Sequence, residues 1–584
     1  MSDVEVLKFG SSVLRSPRDL HVAVDEIYRH WRGGYRVLAV VSAFEGITDE
    51  LMAEVAGVLG ADCPEATAAY VATGEQRTAA LLLGSLQNSG IPSRVIDPRD
   101  IGLIADGSFS ESMPVRVDVT ALDQLWNDYP VLVLPGFYGI DLEGRTALFG
   151  RGGSDLSALF LAAALGVECR LCKDVKGVYD ADPASSTLAH RFSALSWERA
   201  IEVAGPLIQS KALRYAQSRT LTFEVGRPNE STCTRVGHTH DELASPASST
   251  RPIGIALVGC GTVGRGVYEA VRRYRQAFQL HHVVVREVER YVGIEHLTTD
   301  PSGIFDANVD VVIICTMANS LAYPLISSAL NAGKFVITAN KAAVAAHGKS
   351  LLSHSRGEGR RLWYSATVGG ALPALEILAT LEPAVMEIRG IINGTCGVVL
   401  DEWAAGKMLG DAVAIAQAAG FAEANPVRDL SGRDSADKLA LMAEAAFGQW
   451  LAPEDIPTFG IDTITGQPHG YRLLARAKRT LHGITASVAP ECPPPHSFLG
   501  QAGGPANRLE IELETGEVIR LRGQGAGRWP TTVSIMGDLH EVARHIEGAR
   551  QPAELRGQKV GQVQVAPSDR LKAADSDGAL SRTP

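Results

Sequence analysis

Residues 253–264 read Ile-Gly-Ile-Ala-Leu-Val-Gly-Cys-Gly-Thr-Val-Gly, an apolar run followed at once by a glycine-rich turn. The run predicts a strand over 253–258, and the turn predicts a helix that opens at about Val263. In such a unit the first glycine permits a tight turn, the second lets a pyrophosphate approach the backbone, and the third allows close helix–strand packing. The predicted dinucleotide contacts are Gly259, Gly261, Thr262, Val263 and Gly264.

The next strand is predicted over His282–Val285 and ends in Arg286-Glu287. Arg286, together with Arg290, would pair with a ribose 2′-phosphate, which favours NADP over NAD. Two alternatives stay open. In the first, both arginines are solvated surface charges. In the second, Glu287 accepts a hydrogen bond from a ribose 2′-hydroxyl.

Charged residues gather further along this half of the chain. Residues 336–341 read Val-Ile-Thr-Ala-Asn-Lys and place Lys341 just past a buried strand, where open α/β sheets collect their ligands. Glu423, Asp429, Asp434 and Lys438 follow at spacings of six, five and four residues. A helix would put Asp434 and Lys438 on one face, and that pair alone is expected to be a surface ion pair. With the loop carboxylates, the set offers anions for a substrate ammonium and a cation for an alkoxide.

A second glycine motif lies in the first half of the chain, where residues 150–155 read Gly-Arg-Gly-Gly-Ser-Asp and enter a helix. Its glycines let the backbone approach a ligand, and Arg151 is suited to clamp a carboxylate. Asp155 is either a partner of the helix dipole or, beside Lys8, a group that positions a phosphoryl acceptor. Lys8 precedes the turn at Gly10, which is suited to phosphate oxygens or is a plain structural turn.

The composition favours a globular protein and disfavours several classes of partner. The 584 residues are 45% hydrophobic and 21% charged, which is ordinary for a globular protein of three or four domains at roughly 150 residues each. A net charge of −11 disfavours nucleic acid or an anionic membrane as partner. The start carries no secretory signal pattern, so we expect a cytoplasmic protein. Eight scattered cysteines predict free thiols and no zinc site, and we predict no protein-bound metal site.

The alternation of apolar strands and alanine-rich helices predicts an α/β protein. A polar segment rich in Ser, Thr and Pro interrupts this alternation once, and the alternation ends at a polar C-terminal segment. The predicted units are a first domain over 1–228, a linker over 229–251, a Rossmann domain over 252–390 completed by about 525–550, a substrate and dimerisation domain over 391–524, and a disordered tail over 556–584.

The first domain resembles the aspartate kinases over about residues 4–226. The resemblance rests on Lys-Phe-Gly-Ser-Ser-Val, Val-Val-Ser-Ala-Phe-Glu-Gly-Ile-Thr-Asp-Glu-Leu, Thr-Gly-Glu, Gly-Arg-Gly-Gly-Ser-Asp and Asp-Val-Lys-Gly-Val-Tyr-Asp-Ala-Asp-Pro, in that order. It implies an amino-acid-kinase-like α/β fold and Mg-ATP as phosphoryl donor. The implied roles are phosphoryl transfer for Lys8 and Asp155, aspartate binding for Thr48, Glu75 and Arg151, and nucleotide binding for Gly10, Asp174, Tyr179 and Lys211.

Two departures from the kinase pattern stand out. The usual Lys-Phe-Gly-Gly-Thr-Ser loop has Ser11 in place of its second glycine, and the usual Thr-Asp-Val-Asp reads Lys173-Asp174-Val175-Lys176. Where that family has a Lys and His-Pro-Arg before a helix, only Lys211 keeps a comparable charge. The sequence thus leaves open an active kinase or a kinase-like module that is structural or binds a ligand.

The second half resembles the homoserine dehydrogenases over roughly 253–550. It shares the glycine fingerprint, Thr-Ala-Asn-Lys, Ala-Thr-Val-Gly-Gly, Ile-Ile-Asn-Gly-Thr and the spaced acidic and lysine set. The resemblance implies a Rossmann domain with an α+β substrate domain, and NAD(P)H-dependent reduction of aspartate semialdehyde. Ser365 stands where that family often has a glutamate, which weakens the case for a monovalent cation. The implied roles are proton handling for Lys341 and Lys438, amino-acid binding for Glu423, Asp429 and Asp434, and nicotinamide contact for Thr316, Asn340, Gly394 and Thr395.

The whole order resembles the bifunctional aspartokinase–homoserine dehydrogenases of threonine and methionine synthesis. Their ACT regulatory domains, which usually separate the halves, have no counterpart in the short predicted linker, so we expect no threonine feedback of that kind. The implied partners are small molecules and a second copy of the chain. The alternative is a homoserine dehydrogenase with a degenerate kinase-like module, and a metabolite sensor is a more distant one.

Overall fold

The computed structural model describes residues 4–550 except 60–62, 184, 187–188, 206, 238–239, 245–250, 317–318 and 358. The predicted tail over 556–584 therefore lies outside the described residues. Within them, the chain forms three large sheets and one small sheet. No helix in this described part combines the length and apolar character that crossing a membrane requires.

The N-terminal half is built on a nine-stranded sheet in the order β13-β10-β12-β11-β9-β1-β2-β6-β3, beside a four-stranded sheet in the order β5-β4-β7-β8. Its strands are β1 (Val4–Phe9), β2 (Arg36–Val41), β3 (Ser93–Val95), β4 (Ile104–Gly107), β5 (Ser112–Arg116), β6 (Val131–Pro135), β7 (Tyr138–Ile140), β8 (Thr146–Leu148), β9 (Cys169–Cys172), β10 (Phe192–Leu195), β11 (Phe223–Gly226), β12 (Cys233–Val236) and β13 (Glu242–Leu243). Its helices are α1 (Leu20–Arg32), α2 (Ile47–Leu59), α3 (Pro64–Val71), α4 (Thr73–Asn88), α5 (Val119–Asp128), α6 (Gly153–Leu165), α7 (Trp197–Val203) and α8 (Ser210–Ser218).

The centre of this sheet explains where a ligand can approach. Strands β9, β1, β2 and β6 are neighbours and all parallel. Strand β2 reads Arg-Val-Leu-Ala-Val-Val and is buried from its second residue on, because helices cover both faces of the sheet. Parallel strands end at one edge, so the residues that follow β1 and β9 meet there, beside the N-terminus of α6.

The predicted linker over 229–251 was wrong for part of its length. Strand β12 pairs with β10 and β11, and β13 pairs antiparallel with β10, so the first sheet continues to Leu243. The Ser-, Thr- and His-rich sequence hides these strands because β12 buries only two side chains, those of Thr234 and Val236, and the edge strand β13 is exposed.

The second sheet is parallel throughout, in the order β16-β15-β14-β17-β18-β19. Its strands are β14 (Ile253–Val258), β15 (Phe278–Val284), β16 (Leu297–Thr298), β17 (Val311–Ile314), β18 (Phe335–Thr338) and β19 (Leu362–Trp363). Its helices are α9 (Thr262–Arg273), α10 (Asn319–Asn331), α11 (Lys341–Ala346), α12 (Gly348–Leu351) and α13 (Ala374–Leu381). This is the doubly wound arrangement that the glycine fingerprint predicts.

The third sheet is antiparallel, in the order β22-β21-β20-β23-β24. Its strands are β20 (Val385–Ile391), β21 (Arg472–Thr480), β22 (Gly483–Glu491), β23 (Ala506–Leu513) and β24 (Val518–Gln524). The helices packed with it are α14 (Gly394–Ala404), α15 (Leu409–Ala418), α16 (Val427–Leu430) and α17 (Arg433–Phe447). The last helix, α18 (Arg528–Arg550), returns to the Rossmann core, where Ile535 and Leu539 pack with Ile255 and Leu257.

A buried arginine joins the two halves of the chain. Arg32, the last residue of α1, reaches the carboxylates of Asp538 at 2.7 Å and Glu376 at 2.9 Å, and its guanidinium also donates to Ser365 Oγ. Ser365 in turn donates to Asp538 Oδ1 at 2.6 Å. Burial raises the pKa of Asp538 to about 6, although the Arg32 charge opposes the rise. Ser365 thus faces a cation supplied by the other half of the chain.

Replacing Arg32 with methionine is expected to lower the free energy of unfolding by about 3–5 kcal/mol, because buried carboxylates would lose their cation. The measurement is the shift of the urea midpoint, followed by circular dichroism. The control is Arg199→Met, which removes an exposed ion pair with Glu202 and is expected to change stability by less than about 1 kcal/mol. Equal midpoints for the Arg32 variant and the wild type would contradict the stabilising role of this contact.

Candidate functional site

In the N-terminal half, one carboxylate joins two lysines at the edge where β1 and β9 end. Asp155, in the first turn of α6, lies 2.6 Å from the ammonium of Lys8 through one oxygen and 2.8 Å from that of Lys173 through the other. All three side chains are buried. The two ammoniums hold the pKa of Asp155 at about 2 even though burial alone would raise it. The sequence predicted Lys8 and Asp155 for this site but not Lys173. The sequence showed Lys173 only as a departure from the usual Thr-Asp-Val-Asp pattern.

Glycines shape the space around these charges. A Cβ on Gly10 would come within 2.9 Å of the Lys8 ammonium, so glycine keeps the approach to that charge open. Gly150 and Gly152 both have left-handed backbone, with φ of 71° and 75°. The turn they form feeds directly into α6, whose N-terminus adds a partial positive charge beside Lys8 and Lys173.

Glu75 and Arg151 offer complementary charges to an amino acid. Glu75 is buried near the start of α4, where one oxygen accepts the Ala43 N–H at 3.1 Å and the other has no partner among the described residues. Burial raises the pKa of Glu75 to about 7. The Arg151 side chain is exposed and forms no ion pair within the described part of the chain. Thr48 is half-buried near the start of α2.

The predicted nucleotide residues are less closely assembled. Lys211 donates to Glu111 and to the backbone carbonyls of Ser112 and Phe149, so its ammonium holds two neighbouring segments together. Asp174 is exposed, and its backbone carbonyl accepts from Arg227. Tyr179 is half-buried. None of these three side chains contacts Asp155 among the described residues, and their roles toward a nucleotide stay predictions.

In the second half, the glycine fingerprint has the geometry that a dinucleotide needs. Gly259 has φ of 90°, and a Cβ there would lie 2.9 Å from the Thr316 nitrogen. A Cβ on Gly264 would collide with the Gly259 carbonyl oxygen, so the third glycine allows the close packing of α9 on β14. Gly261, by contrast, faces open space directly before Thr262, the first residue of α9. An exposed N-terminus beside a bare backbone fits a pyrophosphate.

The charged residues that follow β15 differ in whether they form an ion pair. Glu287 and Arg290 form an exposed ion pair with 2.6 Å between Oε2 and Nε. Arg286 is exposed and has no ion-pair partner within the described ranges. The arginine that follows the strand thus stays available to an anion, while the glutamate's charge is balanced by Arg290.

In the same half of the chain, a second buried aspartate lies between two lysines. Asp434, in the first turn of α17, contacts Lys341 through Oδ1 and lies 2.9 Å from Lys438 Nζ through Oδ2. Lys438 also donates to the Ile392 carbonyl at 2.8 Å. The pKa of Asp434 falls because Lys438 and Lys341 outweigh its burial. Asp434 and Lys438 do share a helix face, and the surface-pair alternative was wrong because both are buried.

Asn393 links this cluster to a further carboxylate and was missed at the sequence level. Its Nδ2 donates to Asp429 at 2.7 Å and to Asp434 at 2.9 Å, while its Oδ1 caps α14 by accepting the Cys396 N–H. Burial and the nearby Asp434 raise the pKa of Asp429. The signal was present in Ile-Ile-Asn-Gly-Thr, where an asparagine precedes a predicted helix.

Of the remaining predicted residues, Asn340, Gly394 and Thr395 lie at the starts of helices, whereas Glu423 lies in an exposed loop. Asn340 caps α11 and donates to the Thr316 carbonyl at 2.9 Å, which brings the ends of β17 and β18 together next to Lys341. Gly394 begins α14, and Thr395 Oγ1 donates to the Phe421 carbonyl at 2.6 Å. Glu423 lies in that same loop, but its side chain is exposed and contacts none of the cluster among the described residues.

Comparison with known proteins follows the same division of the chain. Residues 3–220 match the amino acid kinase family. Residues 259–365 match the NAD-binding domain of homoserine dehydrogenase, and residues 375–540 match homoserine dehydrogenase.

Individual relatives match the second half. Homoserine dehydrogenase of Pseudomonas aeruginosa is 30% identical over 369 residues, which cover 57% of this chain and 84% of that protein. The corresponding protein of Corynebacterium glutamicum is 30% identical over 332 residues, covering 52% and 74%. A crystal structure of a homoserine dehydrogenase from Thiobacillus denitrificans is 29% identical, with a TM-score of 0.48, over 52% of this chain and 76% of that one.

Proposed function

We propose that this chain, which belongs to the homoserine dehydrogenase family and also carries an amino acid kinase family domain, catalyses two separate reactions. The N-terminal half transfers a phosphoryl group from Mg-ATP to the side-chain carboxylate of L-aspartate. The second half reduces aspartate semialdehyde to homoserine with NADPH. The chain is a phosphotransferase and an oxidoreductase in one.

One observation carries the proposal for both halves. In each half a buried aspartate lies between two lysine ammoniums, Asp155 in the first and Asp434 in the second. Such a carboxylate fixes the two ammoniums in place. A site of this kind stabilises negative charge that develops on a reacting oxygen.

In the dehydrogenase half, Gly259, Gly261 and the N-terminus of α9 would hold a nicotinamide dinucleotide, which would supply the hydride for reduction of the aldehyde. Lys438, held by Asp434 and the Ile392 carbonyl, donates a proton to the carbonyl oxygen as it becomes an alkoxide. Lys341 shares the same carboxylate, and the pKa of Lys341 is raised because the attraction of Asp434 outweighs burial. Asp429 orients the substrate ammonium.

In the kinase half, the bond between the γ-phosphorus and its bridging oxygen breaks while an oxygen of the aspartate side chain bonds to that phosphorus. ADP leaves, and no proton moves in this step. Catalysis of such a transfer is mainly a matter of positioning and cationic charge. Lys8 and the α6 N-terminus supply the charge, while Arg151 and the orphaned oxygen of Glu75 fit the carboxylate and ammonium of the acceptor.

NADP is the proposed cofactor because Arg286 is unpaired among the described residues while Glu287 is held by Arg290. Replacing Arg286 with glutamine is expected to raise the KM for NADPH about 10–100-fold, since a charge-assisted contact with the 2′-phosphate contributes about 1.5–3 kcal/mol. The KM for NADH should stay unchanged. Steady-state reduction of aspartate semialdehyde with each cofactor measures both constants.

The matched control is Arg275→Gln, which removes an exposed arginine beyond the far end of α9. That variant is expected to keep both KM values. If Arg286→Gln raised the two KM values equally, Arg286 would not discriminate the 2′-phosphate and the preference for NADP would be withdrawn.

Two assays on the purified full chain test the proposed function. Trapping of aspartyl phosphate as its hydroxamate reports the kinase, and homoserine-dependent reduction of NADP reports the dehydrogenase. Activity in both assays supports the bifunctional enzyme. Dehydrogenase activity without hydroxamate would favour a degenerate kinase module, and the absence of both activities would favour a metabolite sensor.

The proposal includes a homodimer formed through the dehydrogenase half and a cytoplasmic location. The resemblance to the dehydrogenases supports the first. Eight cysteines that are all unpaired support the second, because free thiols suit a reducing compartment.

A further inference from the structure

Lys173 is a buried lysine to which the proposed kinase mechanism assigns no role of its own. It follows the last residue of β9, and its ammonium lies 2.8 Å from Asp155 Oδ2. The opposite oxygen of the same carboxylate is already paired with Lys8 at 2.6 Å. The Lys173 residue is only 5% exposed. A second ammonium on an already neutralised carboxylate needs a reason, because a buried cation is unfavourable unless it is paired.

The three side chains in contact at Lys173 carry one more positive than negative charge. Lys8 and Lys173 contribute two positive charges and Asp155 one negative charge, and the N-terminus of α6 adds a partial positive charge. Burial lowers the pKa of Lys8, and the neighbouring Lys173 charge lowers it further, against the attraction of Asp155. The excess lies at the edge where parallel strands collect ligands, beside the bare backbone of Gly10.

We propose that Lys173 is a second phosphate-binding lysine of the kinase site, which holds the transferring phosphoryl group together with Lys8. The inference rests on the proposed kinase function and adds a residue to it. As the bond to the bridging oxygen breaks and the bond to the aspartate carboxylate forms, the two ammoniums take opposite sides of the phosphoryl oxygens. Asp155 keeps the ammoniums apart.

Lys173 is a feature of this chain and not of the kinase pattern that it resembles. That pattern has a threonine at this position, and of its Lys and His-Pro-Arg before a helix only Lys211 keeps a comparable charge here, with its ammonium bound to Glu111 and two backbone carbonyls. A cation introduced at the end of β9 reaches Asp155 because β9 lies directly beside β1.

The test compares Lys173→Met and Lys173→Arg with the wild type in the full chain. For Lys173→Met, we expect kcat for aspartyl hydroxamate formation to fall about 10²–10³-fold, the loss typical of one transition-state contact. Lys173→Arg keeps the charge and is expected to recover part of that loss. The control is Lys176→Met, since Lys176 is exposed, pairs only with Glu230 among the described residues and should not alter kcat.

A binding measurement separates this inference from the kinase assignment. Calorimetry with a non-hydrolysable ATP analogue and Mg²⁺ should show at least tenfold weaker binding to Lys173→Met than to wild type, with Lys176→Met unchanged. If the wild type binds the analogue but phosphorylates no aspartate, the kinase function fails while weaker binding by Lys173→Met still supports a phosphate-binding lysine. No binding by the wild type, or equal binding and equal kcat in Lys173→Met, would overturn the inference. Homoserine oxidation by every variant verifies that the chain is folded.

Discussion

Lys438→Met is expected to lower kcat for homoserine oxidation and for aldehyde reduction about 10²–10⁴-fold, the range that general acid–base catalysis contributes. The methionine keeps the length of the side chain but cannot exchange a proton with the substrate oxygen. It also leaves Asp434 with Lys341 as its remaining cation, so the carboxylate stays paired. Steady-state kinetics in both directions measures the loss.

Two comparisons sharpen this result. Lys407→Met changes an exposed lysine between α14 and α15 and should keep the wild-type kcat. Formation of aspartyl hydroxamate by Lys438→Met should also equal that of the wild type, because the kinase site lies in the other half. A Lys438 variant that retained more than about a tenth of the wild-type kcat would exclude Lys438 as the proton donor, given the range above.

Asp155→Asn is expected to lower aspartyl hydroxamate formation about 10²–10³-fold. The amide has the same shape but no charge, so two buried ammoniums would face each other without their shared carboxylate. Their mutual repulsion displaces both from the position of the phosphoryl group. Homoserine oxidation is expected to stay at the wild-type rate.

The control for this substitution is Asp123→Asn, which alters an exposed carboxylate 3.7 Å from Arg36 in the same half. We expect wild-type kinase activity from it. Full hydroxamate formation by Asp155→Asn would show that phosphorylation occurs without the lysine–aspartate cluster, and the assignment of the site would be wrong.

Local signals in the sequence led to much of the dehydrogenase site. The strand over Ile253–Val258 was predicted with its observed bounds, and the helix after it begins at Thr262, one residue before the prediction. Steric requirements between residues close in sequence, such as the contact between Gly264 and Gly259, can be recognised from the glycines of the motif itself. The pairing of Asp434 with Lys438 is equally local, since one turn of helix brings them together.

Contacts between distant segments were beyond such signals. Asp155 and Lys173 approach through the pairing of β9 with β1, and Arg32 meets Asp538 although 506 residues separate them. Burial was equally hidden, because a pair spaced for a helix face is exposed or buried according to what packs on that face.

Residue order along the chain thus specified the two enzyme classes, the glycine turns and most of the charged residues, because these depend on spacing and on the shape of single side chains. The folded arrangement specified which charges share a carboxylate, which lysines are buried and how the halves meet. Those properties depend on strand order and on helix packing, which bring together residues that no short sequence pattern connects. Lys173 illustrates the difference, since the sequence shows only an unexpected lysine while the fold places its ammonium against Asp155.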